Sequence, residues 1–155
     1  MKKILITMMI LLMVIDLSSC AIKIKFDFAD VDDVNQTISF VDAKFYGIYD
    51  NRQSVALFFE YTNNSEVDKC ADDGFIVLVH QNGKFADPLS IAEEIEGAIT
   101  PGMIVASGDK AQVAYLFILN GTAPLSVMTS DGQQFTIEYE HIGTVRLKEE
   151  QNIIQ

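Results

Sequence analysis

Tryptophan is absent from this 155-residue chain, and cysteine, histidine and proline number only 2, 2 and 3. Each shortage excludes something. Without tryptophan or a cysteine pair spanning two sheets, a disulfide-pinned antibody-type domain is ruled out. Two histidines, His80 and His141, with no nearby cysteines do not make a zinc site. Basic residues are scarce: 11 against 22 acidic, a formal charge of −11. No basic stripe exists to neutralise phosphates, so nucleic acid is not an expected partner. The longest apolar run, Ile4 to Ile15, is shorter than the roughly 20 residues that cross a bilayer, and Asp16 interrupts it. Catalytic signatures are missing as well: no G-x-S-x-G elbow, no glycine-rich phosphate loop and no H-E-x-x-H.

What is present begins at the N-terminus. Lys2-Lys3, the short apolar run and small residues before a cut are the parts of a secretory signal. Leu17-Ser18-Ser19-Cys20 resembles the bacterial lipobox, an aliphatic residue and two small ones before a cysteine. The resemblance implies diacylglyceryl transfer to the Cys20 thiol, then cleavage before it. Asp16 departs from the pattern, and an ordinary cut between Cys20 and Ala21 is the alternative. Losing residues 1–19 removes Lys2, Lys3 and Asp16, leaving 9 basic and 21 acidic residues, a formal charge of −12. So acidic a chain does not adhere to an anionic bilayer by charge. The expected membrane attachment is therefore the lipid on Cys20, at the outer face of the cell membrane.

A lipid on Cys20 leaves Cys70 as a lone thiol. Asp68, Asp72 and Asp73 around it raise its pKa and argue against a nucleophile. Residues 20–36 read as an acidic tether. A calcium loop there lacks the turn glycine and the closing glutamate. No metal and no cofactor is expected.

From Thr37 the pattern is β. Alternation predicts strands at Thr37–Phe45, Ser54–Thr62, Phe75–Gln81, Asp109–Leu119, Leu125–Thr129 and Gln134–His141. Val55, Leu57, Phe59 and Tyr61 share one face. Gly47–Gln53 reads as a polar turn region, Asn82-Gly83 and Ser130-Asp131-Gly132 as hairpin turns. Ser90 with Glu93 fits a capping box, so one short helix is expected, stopped at Gly97. The tail from Thr144 to residue 155 is expected to fray. The fold class is thus all-β: an immunoglobulin-like antiparallel sandwich of about seven strands over residues 37–143, with one short helical insert.

Four features stand in one order: Phe59-Glu60-Tyr61-Thr62-Asn63-Asn64-Ser65, Val79-His80-Gln81-Asn82-Gly83, Pro101-Gly102, and Val113-Ala114-Tyr115-Leu116 followed by Pro124-Leu125-Ser126-Val127. Together they resemble an uncharacterised immunoglobulin-like (telokin-like) domain family of Gram-positive surface lipoproteins. The resemblance covers about residues 37–140. It implies the fold and the address, and no functional residues.

The functional expectation is a surface binding or interaction module, not an enzyme, with a monomeric domain and an envelope protein or cell-wall component as partner. The longest connections, 63–73 and 99–108, are the expected contact loops, with Asn63, Asn64, Ser65, Asp72 and Asp73 as contact candidates. A spacer or protective envelope role is the alternative. A hydrolase using the carboxylates of segment 90–96 is the least favoured, because on a short capped helix those groups serve the helix dipole.

Overall fold

A computed structural model describes residues 35–90 and 94–144. The signal, Cys20, the acidic tether and the tail from 145 lie outside them. The described residues form eleven strands: β1 (Gln36–Tyr49), β2 (Arg52–Asn63), β3 (Lys69–Cys70), β4 (Val77–Gln81), β5 (Lys84–Phe85), β6 (Asp87–Leu89), β7 (Ile104–Val105), β8 (Lys110–Ile118), β9 (Leu125–Thr129), β10 (Gln134–Ile137) and β11 (Gly143–Thr144). Seven have three or more residues: six overlap the strands the sequence predicts, and the seventh, β6, lies at the start of the stretch expected to carry the helical insert. They form a five-stranded sheet in the order β11-β1-β2-β8-β6, a four-stranded sheet β10-β9-β4-β5, and a small pair β3-β7. Pairing is antiparallel except between β1 and β11. The result is an all-β sandwich.

The main core lies between the two large sheets. Val55, Leu57, Phe59 and Tyr61 project into it from β2, as their spacing of two requires, and meet Val113, Tyr115 and Phe117 from β8 and Val79, Leu125 and Val127 from the facing sheet. Phe59 packs edge-on against Phe40 and Tyr115, with ring centroids 5.7 and 5.6 Å apart. Such pairs add roughly 0.5–1.5 kcal/mol beyond their buried area.

Strand β2 is buried on its reverse face as well. Ala56, Phe58, Ala114 and Leu116 form a second apolar cluster with Ile95 and Ala98 laid over it. Here the predicted helix gives way. Residues 91–93 lie outside the description, but Ile95 and Ala98 bond to each other as a bridge. Between them Glu96 (φ 50) and Gly97 (φ 84) make a two-residue turn in the left-handed region. Gly97 is therefore a turn residue and not a helix stop. The turn lets Ile95 and Ala98 both press onto the sheet. Lys44 holds Glu96 in an ion pair while its ammonium sits 5.4 Å from the centre of the Phe58 ring.

The turns largely fall where glycine and asparagine predict. Asn82 (φ 51) and Gly83 (φ 75) join β4 to β5. The Gly47–Gln53 turn region is narrower than expected. Both strands run on until Asp50 (φ 49) and Asn51 (φ 58) alone reverse the chain. Pro88, which has no N–H to donate, sits in β6 at the edge of its sheet, where the missing donor costs no ladder bond. The run from Lys84 to Leu89 crosses from one sheet to the other around the buried Ala86.

Candidate functional site

The two predicted contact loops meet at one end of the sandwich. Strand β3 from the first pairs with β7 from the second, Lys69 with Val105 and Cys70 with Ile104. The Asp72 amide donates to the Pro101 carbonyl at 3.2 Å, and Ser107 Oγ donates to the Ser65 carbonyl at 2.7 Å. Asn63 is the internal clamp. Its amide nitrogen donates to the carbonyls of Val67 and Val105, both at 2.9 Å, and its oxygen accepts from the Ser65 amide and hydroxyl. Asn63 and Ser65 are buried and turned inward, so they build the loops and do not reach a partner. Asn64, Asp72 and Asp73 are exposed.

A short helical turn, Ala71–Asp73, follows β3. The Asp73 carboxylate reaches back to accept the Cys70 amide at 3.1 Å. Burial pushes the Cys70 thiol up from its ordinary pKa, and its hydrogen bond to Asp73 adds to that. The thiolate that a nucleophile needs is disfavoured at this position. Asp73 itself is held below the usual carboxylate range by the Cys70 amide. Asp72 shifts the other way, raised by burial and then by the charge of Asp73.

Beside these loops a slot of about 480 Å³ opens along the side of the sandwich. One wall is the run into β4, Phe75 to Val77; the other is the end of β6, Pro88 and Leu89, with Ser90. Tyr115 and Phe117 of β8 line it, and Asp72 and Thr100–Gly102 bound it. The size falls within the range of small-ligand sites, roughly 300–1,000 Å³. Tyr115 is 8% exposed, and its hydroxyl has no hydrogen-bond partner. Burial drives its pKa far up, and the charges of Asp72, Cys70 and Tyr61 add to the shift. A buried hydroxyl is normally paired, because leaving one unpaired costs roughly 1–3 kcal/mol.

The edge of β4 carries a second open group. Ser130 N–H donates to the Ile76 carbonyl at 2.9 Å, and Ala86 N–H to the Val79 carbonyl at 2.8 Å. Antiparallel alternation therefore turns Ile76, Leu78 and His80 toward β9, and Val77 and Val79 toward the opposite edge. Ala86 covers Val79 there. Strand β5 pairs only with His80 and Gln81, so it does not reach Val77.

The histidines carry no site. His80 is half-buried on β4 with its ring 5.4 Å from that of Phe85, and His141 is exposed on a short helical turn. Among the described residues no group of three or more histidine, cysteine or acidic side chains is placed to hold a metal. Sequence reading brought Asp72 and Pro101-Gly102 into view through their loops. It missed Tyr115, which carries only a strand marker, and Val77, whose role depends on which edge β5 leaves bare.

No protein-family model matches the chain, and no curated protein matches it in sequence. Among solved structures, one described as a putative lipoprotein from Staphylococcus aureus subsp. aureus NCTC 8325 is similar in fold. Its TM-score is 0.57 at 8% identity, over 73% of this chain and 90% of that one. At this identity the likeness speaks for the β-sandwich alone.

Proposed function

We propose that this chain is a lipoprotein held at the outer face of the cell membrane through Cys20, with its immunoglobulin-like β-sandwich acting as a non-catalytic binding module. One observation carries the address: Leu17-Ser18-Ser19-Cys20 stands directly behind a charged and apolar leader. The fold likeness to a staphylococcal protein described as a lipoprotein agrees with it. The binding role is supported by the loop end and the slot beside it, where apolar walls surround a few polar groups, the usual make-up of a ligand site. The raised thiol of Cys70 speaks against a nucleophile at that position. Envelope or cell-wall components are the expected partners, because an anchored module meets them first.

Metabolic labelling with a fatty acid, followed by mass spectrometry of the mature N-terminus, tests the anchor. The expected product begins at Cys20 and carries a diacylglyceryl group. A mature chain beginning at Ala21 without acyl groups would overturn the reading. Cys20→Ser should abolish labelling and leave the sandwich folded.

A further inference from the structure

The slot offers three things together: an apolar trough, a carboxylate at its rim, and hydrogen-bonding groups left without partners. The unused groups are of two kinds. The Val77 backbone N–H and C=O point to an edge that β5 does not cover; the residue is only 6% exposed, and the slot is the space beside it. The Tyr115 hydroxyl is buried without a hydrogen bond. An open strand edge is the template for an added strand, in which main-chain bonds supply affinity and alternate side chains supply specificity. The hydroxyl sits in the field of Asp72, so the ligand group it favours is a donor carrying positive charge. Lysine combines an apolar stem with such a head. The trough is lined by Phe75, Leu89 and Phe117, which suit the stem.

We propose that the slot binds an extended, lysine-bearing peptide of a partner protein, which pairs with Val77 as a short added strand and lays its lysine side chain along the trough to Asp72 and the Tyr115 hydroxyl. This deepens the binding role proposed above and rests on it, but it is independent of the lipid. The charge of the domain suits such a partner, since a formal charge near −12 draws basic segments toward it.

The test uses the mature chain in detergent and three blocked pentapeptides: Val-Lys-Val-Lys-Val, and its norleucine and glutamate analogues in place of lysine. Calorimetry should give measurable binding for the lysine peptide and at least about tenfold weaker binding for the other two, as expected for loss of a charge-assisted hydrogen bond. Asp72→Asn and Tyr115→Phe should each weaken the lysine peptide several-fold. Tyr115→Phe removes a hydroxyl that no protein group uses, so its unfolding midpoint should hold or rise, which separates lost binding from lost folding. In amide NMR spectra the Val77 resonance should shift as the lysine peptide is added. Three results would overturn the proposal. Equal binding of the lysine and norleucine peptides removes Asp72 and Tyr115 from the site. Binding of n-butylamine as tight as the peptide makes this a small-amine site and not a strand site. Tighter peptide binding after Lys23→Gln with Lys25→Gln, the two lysines of the stretch behind Cys20, makes the occupant this chain's own N-terminal segment. None of these results touches the mass of the mature N-terminus, so the anchor stands or falls separately.

Discussion

Asn63 shows how much one side chain can carry. It is fully buried and makes four hydrogen bonds, two as donor and two as acceptor, that close the loop 63–67 and tie it to β7. At roughly 1 kcal/mol per bond, Asn63→Ala should cost about 2–4 kcal/mol in urea unfolding. Unchanged stability would mean that the loop is held by something else. Gln81 does the same work at the other end, donating to the carbonyls of Gly121 and Ala123 and accepting from the Asn120 amide. Both residues belong to turn markers visible in the sequence, but composition makes asparagine a turn residue and says nothing of its burial. Tyr61 is a third case. Its hydroxyl donates to Gln36, and burial pushes its pKa up to about 12, with the charges of Cys70 and Asp73 adding to the effect. A group whose folded pKa is raised stabilises fully below its unfolded value and loses that contribution as pH climbs through the folded one. Stability should therefore fall between about pH 10 and about 12. Tyr61→Phe should flatten part of that fall when unfolding midpoints are compared across pH. Tyr115, raised as well, supplies another part.

At the scale of elements, the long strands were legible because hydrophobic periodicity is a property of the chain itself. The stretch Leu125–Thr129 lies where alternation predicts it, and Ser54–Thr62 grows by a few residues into β2. The two-residue strands β3 and β7 were not legible. They exist because the clamp at Asn63 holds two loops side by side, and no local pattern encodes that. The segment after Ser90 misled for a related reason. Ile91 and Ile95 at a spacing of four suit a helix face, but the apolar reverse face of β2 needed covering, and a tight turn at Glu96-Gly97 covers it with Ile95 and Ala98. Phe58→Ala should therefore cost about 3–5 kcal/mol, the range for a buried phenylalanine. It should also speed amide exchange at Ile95 and Ala98, whose mutual hydrogen bonds rest on that ring. Exchange that does not change would show the segment to be held independently of the reverse face.

For the whole molecule, sequence reading reached the fold class, the hairpin turns and the two longest loops, and it stopped short of their meeting and of the slot. A slot is the space that several distant segments leave between them: Phe75 to Val77, Pro88 to Ser90, Thr100 to Gly102 and β8. No one of them announces it. Charge is the global property the sequence does give. With 22 acidic residues against 11 basic, self-repulsion opposes the compact state. Added salt screens it, the Debye length falling from about 30 Å at 0.01 M to about 10 Å at 0.1 M. The thermal midpoint should rise with sodium chloride over that range. A midpoint that falls would mean that ion pairs such as Lys110 with Glu60 and Arg52 with Asp87 outweigh the repulsion.

The backbone bond from Asn64 to the Asn35 carbonyl has a consequence for direction. It fixes the point where the chain enters the sandwich at the loop end, and the Gln36 side chain lies against Gly74, next to the Phe75 wall of the slot. With Cys20 as the anchored residue, 15 residues separate lipid from domain, a leash of at most about 50 Å. Strand β1, 14 residues or roughly 45 Å long, carries the Asp50–Asn51 turn to the far side. The domain would then hang from its loop end, with the Asp50–Asn51 turn at the far end and the Ser130–Gly132 turn near the entry point, where Gln133 Nε2 donates to the Ile38 carbonyl at 2.7 Å. What it samples would be the thin layer just above the lipid, where tethering raises the local concentration of membrane-proximal ligands over anything in the surrounding medium.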